Sequence, residues 1–278
     1  MRVQFTKMHG LGNDFLVVDA ISQQVSLHPS QVAKLSNRNT GIGFDQLLLI
    51  EPPSRPDADF NYRIFNSDGF EADHCGNGAR CFAKFVKDRG LTEKSVMTVN
   101  TAKGLIELEL IQANEVRVNM GSPNLDPNSL PYLGLPHPKN QSVLLETHAG
   151  QLQFGLISMG NPHAVTLVDD LDQTEVSEIG RAIQAAPQFP ESVNVGFLKI
   201  ESRTFVRLRV FERGAGETLA CGTGACAAVA FAYTQRLVDE SVTVATTGGN
   251  LQISWQGPGS DLVMIGPAES VFEGEFQL

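Results

Sequence analysis

The chain reads as an α+β protein of two pseudo-symmetric lobes, each a curled, mainly antiparallel sheet around a central helix. Three observations predict this. Cys75-Gly76-Asn77-Gly78-Ala79 and Cys221-Gly222-Thr223-Gly224-Ala225 are nearly the same box, and they lie 146 positions apart (221 − 75). Other polar positions recur at almost that offset. Many short alternating segments surround few helical ones, a mixture that favours strands packed on a small number of helices.

The repeat extends along the chain. Leu-Gly-Asn13 answers to Met-Gly-Asn161, Gln46 to Asn194, Asn66 to Glu212, Thr101 and Leu105 to Thr247 and Leu251, and Gly121 to Gly266. The expected lobes are 1–121 and 122–266. Asp59 to Asn66 alternates, with Phe60, Tyr62 and Ile64 on one face and Asn61 and Arg63 on the other. Thr204 to Phe211 alternates less cleanly. Both read as half-buried strands. A helix follows each, over Gly76–Arg89, stopped by Gly90, and over Gly222 to about Arg236. Further helices are predicted over Ser30–Asn37 and Thr174–Gln184. Shorter strands are predicted at Val3–Met8, Phe15–Asp19, Gln46–Glu51, Val96–Asn100, Leu105–Ile111, Glu115–Met120, Gln151–Met159, Ala164–Val168, Val193–Ile200, Val242–Ala245, Leu251–Trp255 and Leu262–Ile265. Pro123, Pro127, Pro131, Pro136 and Pro138 mark the join as an excursion, not a core element.

Composition narrows the function classes. The 278 residues carry a formal net charge of −10, which argues against nucleic-acid or anionic-membrane surfaces. Met1-Arg2-Val3-Gln4-Phe5-Thr6-Lys7 lacks the apolar core of a signal peptide, and the apolar run through Cys226–Tyr233 is far too short to span a bilayer. A cytoplasmic protein is the expectation. Four cysteines in so long a chain do not make a disulfide framework.

The boxes carry the chemistry. A glycine-rich helix start exposes backbone N–H donors and about half a unit of positive charge. It favours a bound carboxylate and lowers the pKa of an adjacent thiol. Cys75 and Cys221 therefore read as an acid/base pair that removes a proton from one face of an α-carbon and returns it on the other. Cys81 and Cys226 fall in the helix bodies and read as core. The spacings Cys-x5-Cys and Cys-x4-Cys are not zinc knuckles, so no metal is expected. Glu212-Arg213 ends a strand, where a carboxylate can hold an ammonium and a guanidinium a carboxylate. Asn13, Asn66, Asn161 and Asn194 are ordinary turn residues singly, and a set of amide ligands as a repeat. His163, in Gly160-Asn161-Pro162-His163, reads either as a surface or satisfied residue, the commoner case for a lone histidine, or as one that assists thiol ionisation. His74 is weaker, and His9, His28, His137 and His148 carry no signal. No dinucleotide fingerprint, phosphate loop or pyridoxal lysine context appears, so no cofactor is expected.

At these residues the chain resembles the diaminopimelate epimerases over essentially its full length. The matching stretches are His9-Gly10-Leu11-Gly12-Asn13-Asp14-Phe15, Asn66-Ser67-Asp68-Gly69, Cys75 to Cys81, Asn100-Thr101-Ala102, Gly160 to His163, and Glu212 to Gly224. The resemblance implies cofactor-independent interconversion of LL- and meso-2,6-diaminopimelate, in lysine and peptidoglycan-precursor synthesis. It implies lobes closing over the substrate, with the final strand near Pro267–Leu278 returning to the first lobe. It assigns Cys75 and Cys221 as acid and base. Gly76, Asn77, Gly222 and Thr223 become donors to the reacting carboxylate, and Glu212 with the main chain near Arg213 takes the reacting ammonium. Asn13, Asn66, Asn161, Asn194 and the Arg213 side chain read the far end, Gln46 is a wall residue, and His163 assists. It also implies a homodimer through the first lobe; Phe272 stands where the family carries a tyrosine.

Proline- or hydroxyproline-type racemases are the nearest rival, but they place histidine where Asn77 stands. Phenazine-pathway isomerases do not need both cysteines. A thiol–disulfide redox protein using Cys75 and Cys221, or a binding protein for diaminopimelate, are the readings from other classes.

Overall fold

The computed structural model describes residues 2–72, 76–112, 114–134, 142–147 and 150–278. In chain order the elements are β1 (Arg2–Gly10), β2 (Asn13–Asp19), α1 (Pro29–Ser36), β3 (Gln46–Glu51), β4 (Phe60–Asn66), β5 (Glu71–Ala72), α2 (Gly76–Asp88), β6 (Val96–Thr101), β7 (Gly104–Leu110) and β8 (Glu115–Asn119). A short 3-10 turn at Pro127–Ser129 leads to β9 (Ser142–Thr147), β10 (Gly150–Ser158), β11 (Pro162–Leu167), α3 (Val176–Gln184), β12 (Asn194–Ser202), β13 (Phe205–Glu212) and β14 (Gly216–Thr218). The chain ends with α4 (Gly222–Thr234), β15 (Ser241–Thr246), β16 (Gly249–Ser254), β17 (Val263–Pro267) and β18 (Glu269–Gln277). It divides into two compact units, Met1–Asn119 with Ile265–Leu278, and Met120–Met264.

In the first unit β1 pairs antiparallel with β18 and β2, β2 parallel with β3, and β3 antiparallel with β4. Strand β4 then pairs antiparallel with β5 and parallel with β6, which continues through β7 to β8. The second unit repeats the scheme internally. Its β10 pairs antiparallel with β9 and β11, β11 parallel with β12, and β12 antiparallel with β13. Strand β13 pairs antiparallel with β14 and parallel with β15, which pairs with β16. Strand β18 thus stands beside β1 as β9 stands beside β10.

Each sheet has a helix on both faces. Strands β2 and β3 read as unbroken apolar runs because both faces are covered, and Phe15, Leu16, Val17 and Val18 are fully buried. Leu16, Val18, Leu47 and Leu49 pack with Val32 of α1 and with Phe44, while Phe15 and Leu48 face Gly78 of α2. In the second unit α3 covers one face through Val176, Ile179 and Ile183. Helix α4 packs against β10, β11, β12, β13 and β16 on the other. Its body has no polar stripe, and every residue from Gly224 to Ala232 is buried, as expected for a helix enclosed by a sheet. Cys226, like Cys81 of α2, is fully buried. Gly90 ends α2 in the left-handed region (φ 65°), and Arg236 takes that conformation after α4 (φ 60°).

Among the described residues, three strands escape the sequence reading. β5 and β14 are too short to show alternation. In β9, Val143-Leu144-Leu145 reads as one apolar run, although Val143 and Leu145 are buried and Leu144 points outward. The repeat also needs a one-residue shift at one hairpin, where Leu105 is equivalent to Asn250, not Leu251. The hairpin residue equivalent to Thr101 is Thr246, not Thr247: Thr101 Oγ1 donates to Gly104 O at 2.9 Å and Thr246 Oγ1 to Gly249 O at 2.8 Å.

Gly180 lies in the interior of α3, where alanine would ordinarily favour the helix. A Cβ there would stand 2.5 Å from Cγ of Phe211. Gly180→Ala is therefore expected to destabilise by about 1–3 kcal/mol through overpacking, despite the gain in helix propensity of up to about 1 kcal/mol. The urea midpoint measures this, and an unchanged or raised midpoint contradicts it.

Candidate active site

In the first unit the candidate residues gather at one end of β2, β3 and β4, beside the first turn of α2. The β1–β2 hairpin closes through Leu11 and Gly12, both at positive φ (58° and 88°), the geometry of a tight two-residue turn. Asn13 follows at once. Its Oδ1 accepts from Asn77 Nδ2 at 3.2 Å, so the hairpin and the start of α2 are joined through two candidate residues. Gln46 lies in register with Phe15 on β2 and with Asn66 on β4. Its Nε2 donates to Asn66 Oδ1 at 3.0 Å. Gly76 and Asn77 are buried in the first turn of α2. Cys75, with His74, lies outside the described residues, as do His137 and His148.

In the second unit one connected set holds all the candidates. Cys221 is the N-cap residue of α4, extended at φ −122° and ψ 111°, and Gly222 and Thr223 form its first turn. Its sulfur lies 3.6 Å from Thr223 Oγ1. Asn161 Nδ2 donates to that same hydroxyl at 3.3 Å, while Asn161 Oδ1 lies 3.0 Å from His163 Nε2. His163 is in register with Asn194 across β11 and β12. Asn194 donates from Nδ2 to Pro162 O at 3.0 Å and accepts on Oδ1 from the Arg213 N–H at 2.9 Å. The Thr218 hydroxyl bonds the Glu212 carboxylate. Thr218 drew no assignment from the sequence; its signal was only its place inside the Glu212–Thr218 motif.

Two protonation states follow. The helix start predicts a lowered pKa at Cys221, and the structure reverses that expectation. Burial pushes the thiol up, the charge and hydrogen bond of Glu212 push it further, and the opposing contacts of Thr223 and the Gly224 N–H are weaker. Cys221 is thus a thiol near neutrality. His163 is driven the other way, down to about 3, by burial first and then by the Arg213 charge. It is neutral at working pH. Because Asn161 turns its Nδ2 to Thr223, its carbonyl faces the imidazole and His163 donates from Nε2–H.

Among the described residues no group of three or more His, Cys, Asp or Glu stands together as a metal site. Nor is any helix among them long and apolar enough to cross a membrane.

Solved structures establish the fold class. A phenazine biosynthesis protein of the PhzF family from Bacillus anthracis aligns over all of both chains with a TM-score of 0.72 at 16% identity. A hydroxyproline epimerase from Agrobacterium vitis aligns over 99% of this chain and 92% of its own, with a TM-score of 0.69 at 17% identity. At such identities the likeness is one of fold. Sequence resolves the family: the profile described as "Diaminopimelate epimerase" matches residues 5–125 and 155–271. Proteins named diaminopimelate epimerase from Chromobacterium violaceum and Teredinibacter turnerae are 54% and 51% identical over the whole of both chains. The chain belongs to the diaminopimelate epimerase family.

The neutral state of His163 has a measurable consequence. Unfolded, a histidine titrates near 6.5, whereas in the fold His163 stays neutral down to about 3. Between these values the unfolded chain binds the extra proton, so stability falls as pH is lowered. His163→Gln removes this contribution. Its stability is expected to drop less steeply than wild type between pH 6 and 4, by up to about 1.4 kcal/mol per pH unit, in urea midpoints taken across that range. Parallel slopes would mean that His163 is protonated in the native protein.

Proposed function

We propose that this chain interconverts LL- and meso-2,6-diaminopimelate without a cofactor, through a pair of cysteine sulfurs. The observation that carries the reading is the same box at the start of a buried helix in each unit, Cys75 before Gly76 of α2 and Cys221 before Gly222 of α4. The relatives, named for this activity over their full length, support the substrate.

A thiolate takes the α-proton: an S–H bond forms, the C–H bond breaks, and its electron pair passes toward the carboxylate. The second sulfur gives its proton to the opposite face, forming a new C–H bond and becoming the thiolate. Nothing is oxidised or reduced. The raised pKa of Cys221 supports its entering the cycle as the thiol, with Cys75 as the thiolate. The first-turn groups of Gly76, Asn77, Gly222 and Thr223 stabilise charge developing on the reacting carboxylate, the electrostatic contribution that usually dominates such steps.

Glu212, held by Thr218, takes the reacting ammonium and disfavours a second negative charge on Cys221. Asn13, Asn66, Asn161, Asn194 and Arg213 read the far amino-acid end, and Gln46 walls the site. His163 is the assisting residue, its Nε2 3.0 Å from Asn161 Oδ1. The product serves lysine and peptidoglycan-precursor synthesis. A cytoplasmic location and a homodimer belong to the same proposal; Val271 and Phe272 are exposed on β18.

Incubation of the purified protein with LL-diaminopimelate in deuterated water, without pyridoxal phosphate, is expected to place deuterium at one α-carbon and form the meso isomer. Cys221→Ala is expected to lower turnover by at least 10²–10⁴-fold, on the order of a general acid's contribution, while binding persists by calorimetry. Meso product without solvent deuterium, or turnover retained in the variant, contradicts the mechanism.

A further inference from the structure

Asn13 does not set its own orientation. Its Nδ2 donates to Asp45 Oδ2 at 2.9 Å, and its Oδ1 accepts from Asn77 at 3.2 Å. An ionised carboxylate only accepts, so Asp45 dictates which end of the amide turns toward it. Asp45 is itself held from several sides. Its Oδ1 accepts from Arg38 Nη2 at 2.7 Å. Its N–H donates to both the carbonyl and Oδ1 of Asp14 at 3.0 Å, and the Asp14 N–H returns to Asp45 Oδ2 at 3.1 Å.

Two carboxylates clasped this way would repel without cations. Arg38 supplies a two-point fork to Asp14 at 2.9 and 2.7 Å. The Lys7 ammonium, in a nearly buried side chain, lies 2.6 Å from Asp14 Oδ2 and also bonds Gly43 O. Burial alone would raise the Asp14 pKa; the hydrogen bonds from Arg38 and Lys7 outweigh it and hold Asp14 far below the usual carboxylate range. Asp14 follows Asn13 in the chain, and Asp45 precedes Gln46. The ion cluster therefore ties the start of β2 to the start of β3, at two residues assigned to the substrate.

We propose that Asp45 is a positioning residue of the substrate site, its carboxylate fixing the Asn13 amide for the far end of the substrate. This rests on the function proposed above. In the second unit Asn161 is engaged through the opposite end of its amide, its Oδ1 lying 3.0 Å from His163 Nε2.

Asp45→Asn tests it, because an amide of the same shape accepts either end of Asn13. The variant is expected to raise KM for LL-diaminopimelate roughly tenfold, the size of one lost hydrogen bond to a charged group, with kcat changed less than about threefold. Calorimetric Kd values for meso-diaminopimelate are then compared in Asp45→Asn, Asn13→Ala and the double variant. Loss of the Asp45 effect in the Asn13→Ala background is the expected result, since the carboxylate acts through that amide. An unchanged KM, or an equal penalty in both backgrounds, overturns the proposal and leaves Asp45 a turn residue. Circular dichroism checks folding; if Asp45→Asn does not fold, Arg38→Gln, which frees Asp45 Oδ1, is measured by the same two criteria. Wild-type deuterium exchange in the same assay separates the failures: its absence removes the function, whereas its presence with a wild-type KM in the variant removes only this inference.

Discussion

Burial of α4 on every side makes its first turn a fixed object. A helix with one polar face can rotate or fray at low cost, because that face is indifferent to small shifts. Helix α4 is enclosed from Gly224 through Ala232, and displacement would open a gap in a close-packed interior. Its N-terminus, with Gly222, Thr223 and the Cys221 sulfur, is thereby set relative to the ends of β11, β12 and β13. The contacts of Asn161 and of the Cys221 sulfur with Thr223 depend on that placement, and so does the balance that sets the protonation state of Cys221.

The thiol shows how competing electrostatic effects are decided by distance and burial. A helix N-terminus acts on a neighbouring sulfur with a fraction of a charge. Against it stand removal of the sulfur from water and the full charge of Glu212. Both oppose ionisation, and together they win. The same burial acts with opposite sign on His163, where the charged form is the protonated one. Two titratable groups in one unit are thus both kept neutral, one as a thiol and the other as an imidazole.

Duplication of a pairing scheme does not require duplication of side chains. Both units run through the same order of parallel and antiparallel pairings, yet their polar positions are held by different chemistry. Asn13 is set by a carboxylate within a cluster of four charges. Asn161 meets an imidazole. Gln46 meets Asn66 side chain to side chain, whereas Asn194 meets the backbone of Pro162 and Arg213. What recurs is the place of each polar group at a strand end, which the backbone scheme dictates.

Much of this was legible in the chain itself. Periodicity located most of the strands, because half-buried strands such as β4 alternate and doubly covered ones such as β3 are continuously apolar. The helices among the described residues fall within one or two residues of their predicted bounds at each end. The matched boxes, with Glu212-Arg213 and the recurring asparagines, pointed to the candidate residues without coordinates, since they are local and repeated. Strand β9 hid behind a run of three apolar residues, and β5 and β14 were too short to carry a period. The direction of the Cys221 pKa, the neutral state of His163 and the hold of Asp45 on Asn13 were decided only by tertiary structure. Each is a property of neighbours distant in the chain, and electrostatic and hydrogen-bond energies depend on separation in space and exclusion of water, neither of which the order of residues states.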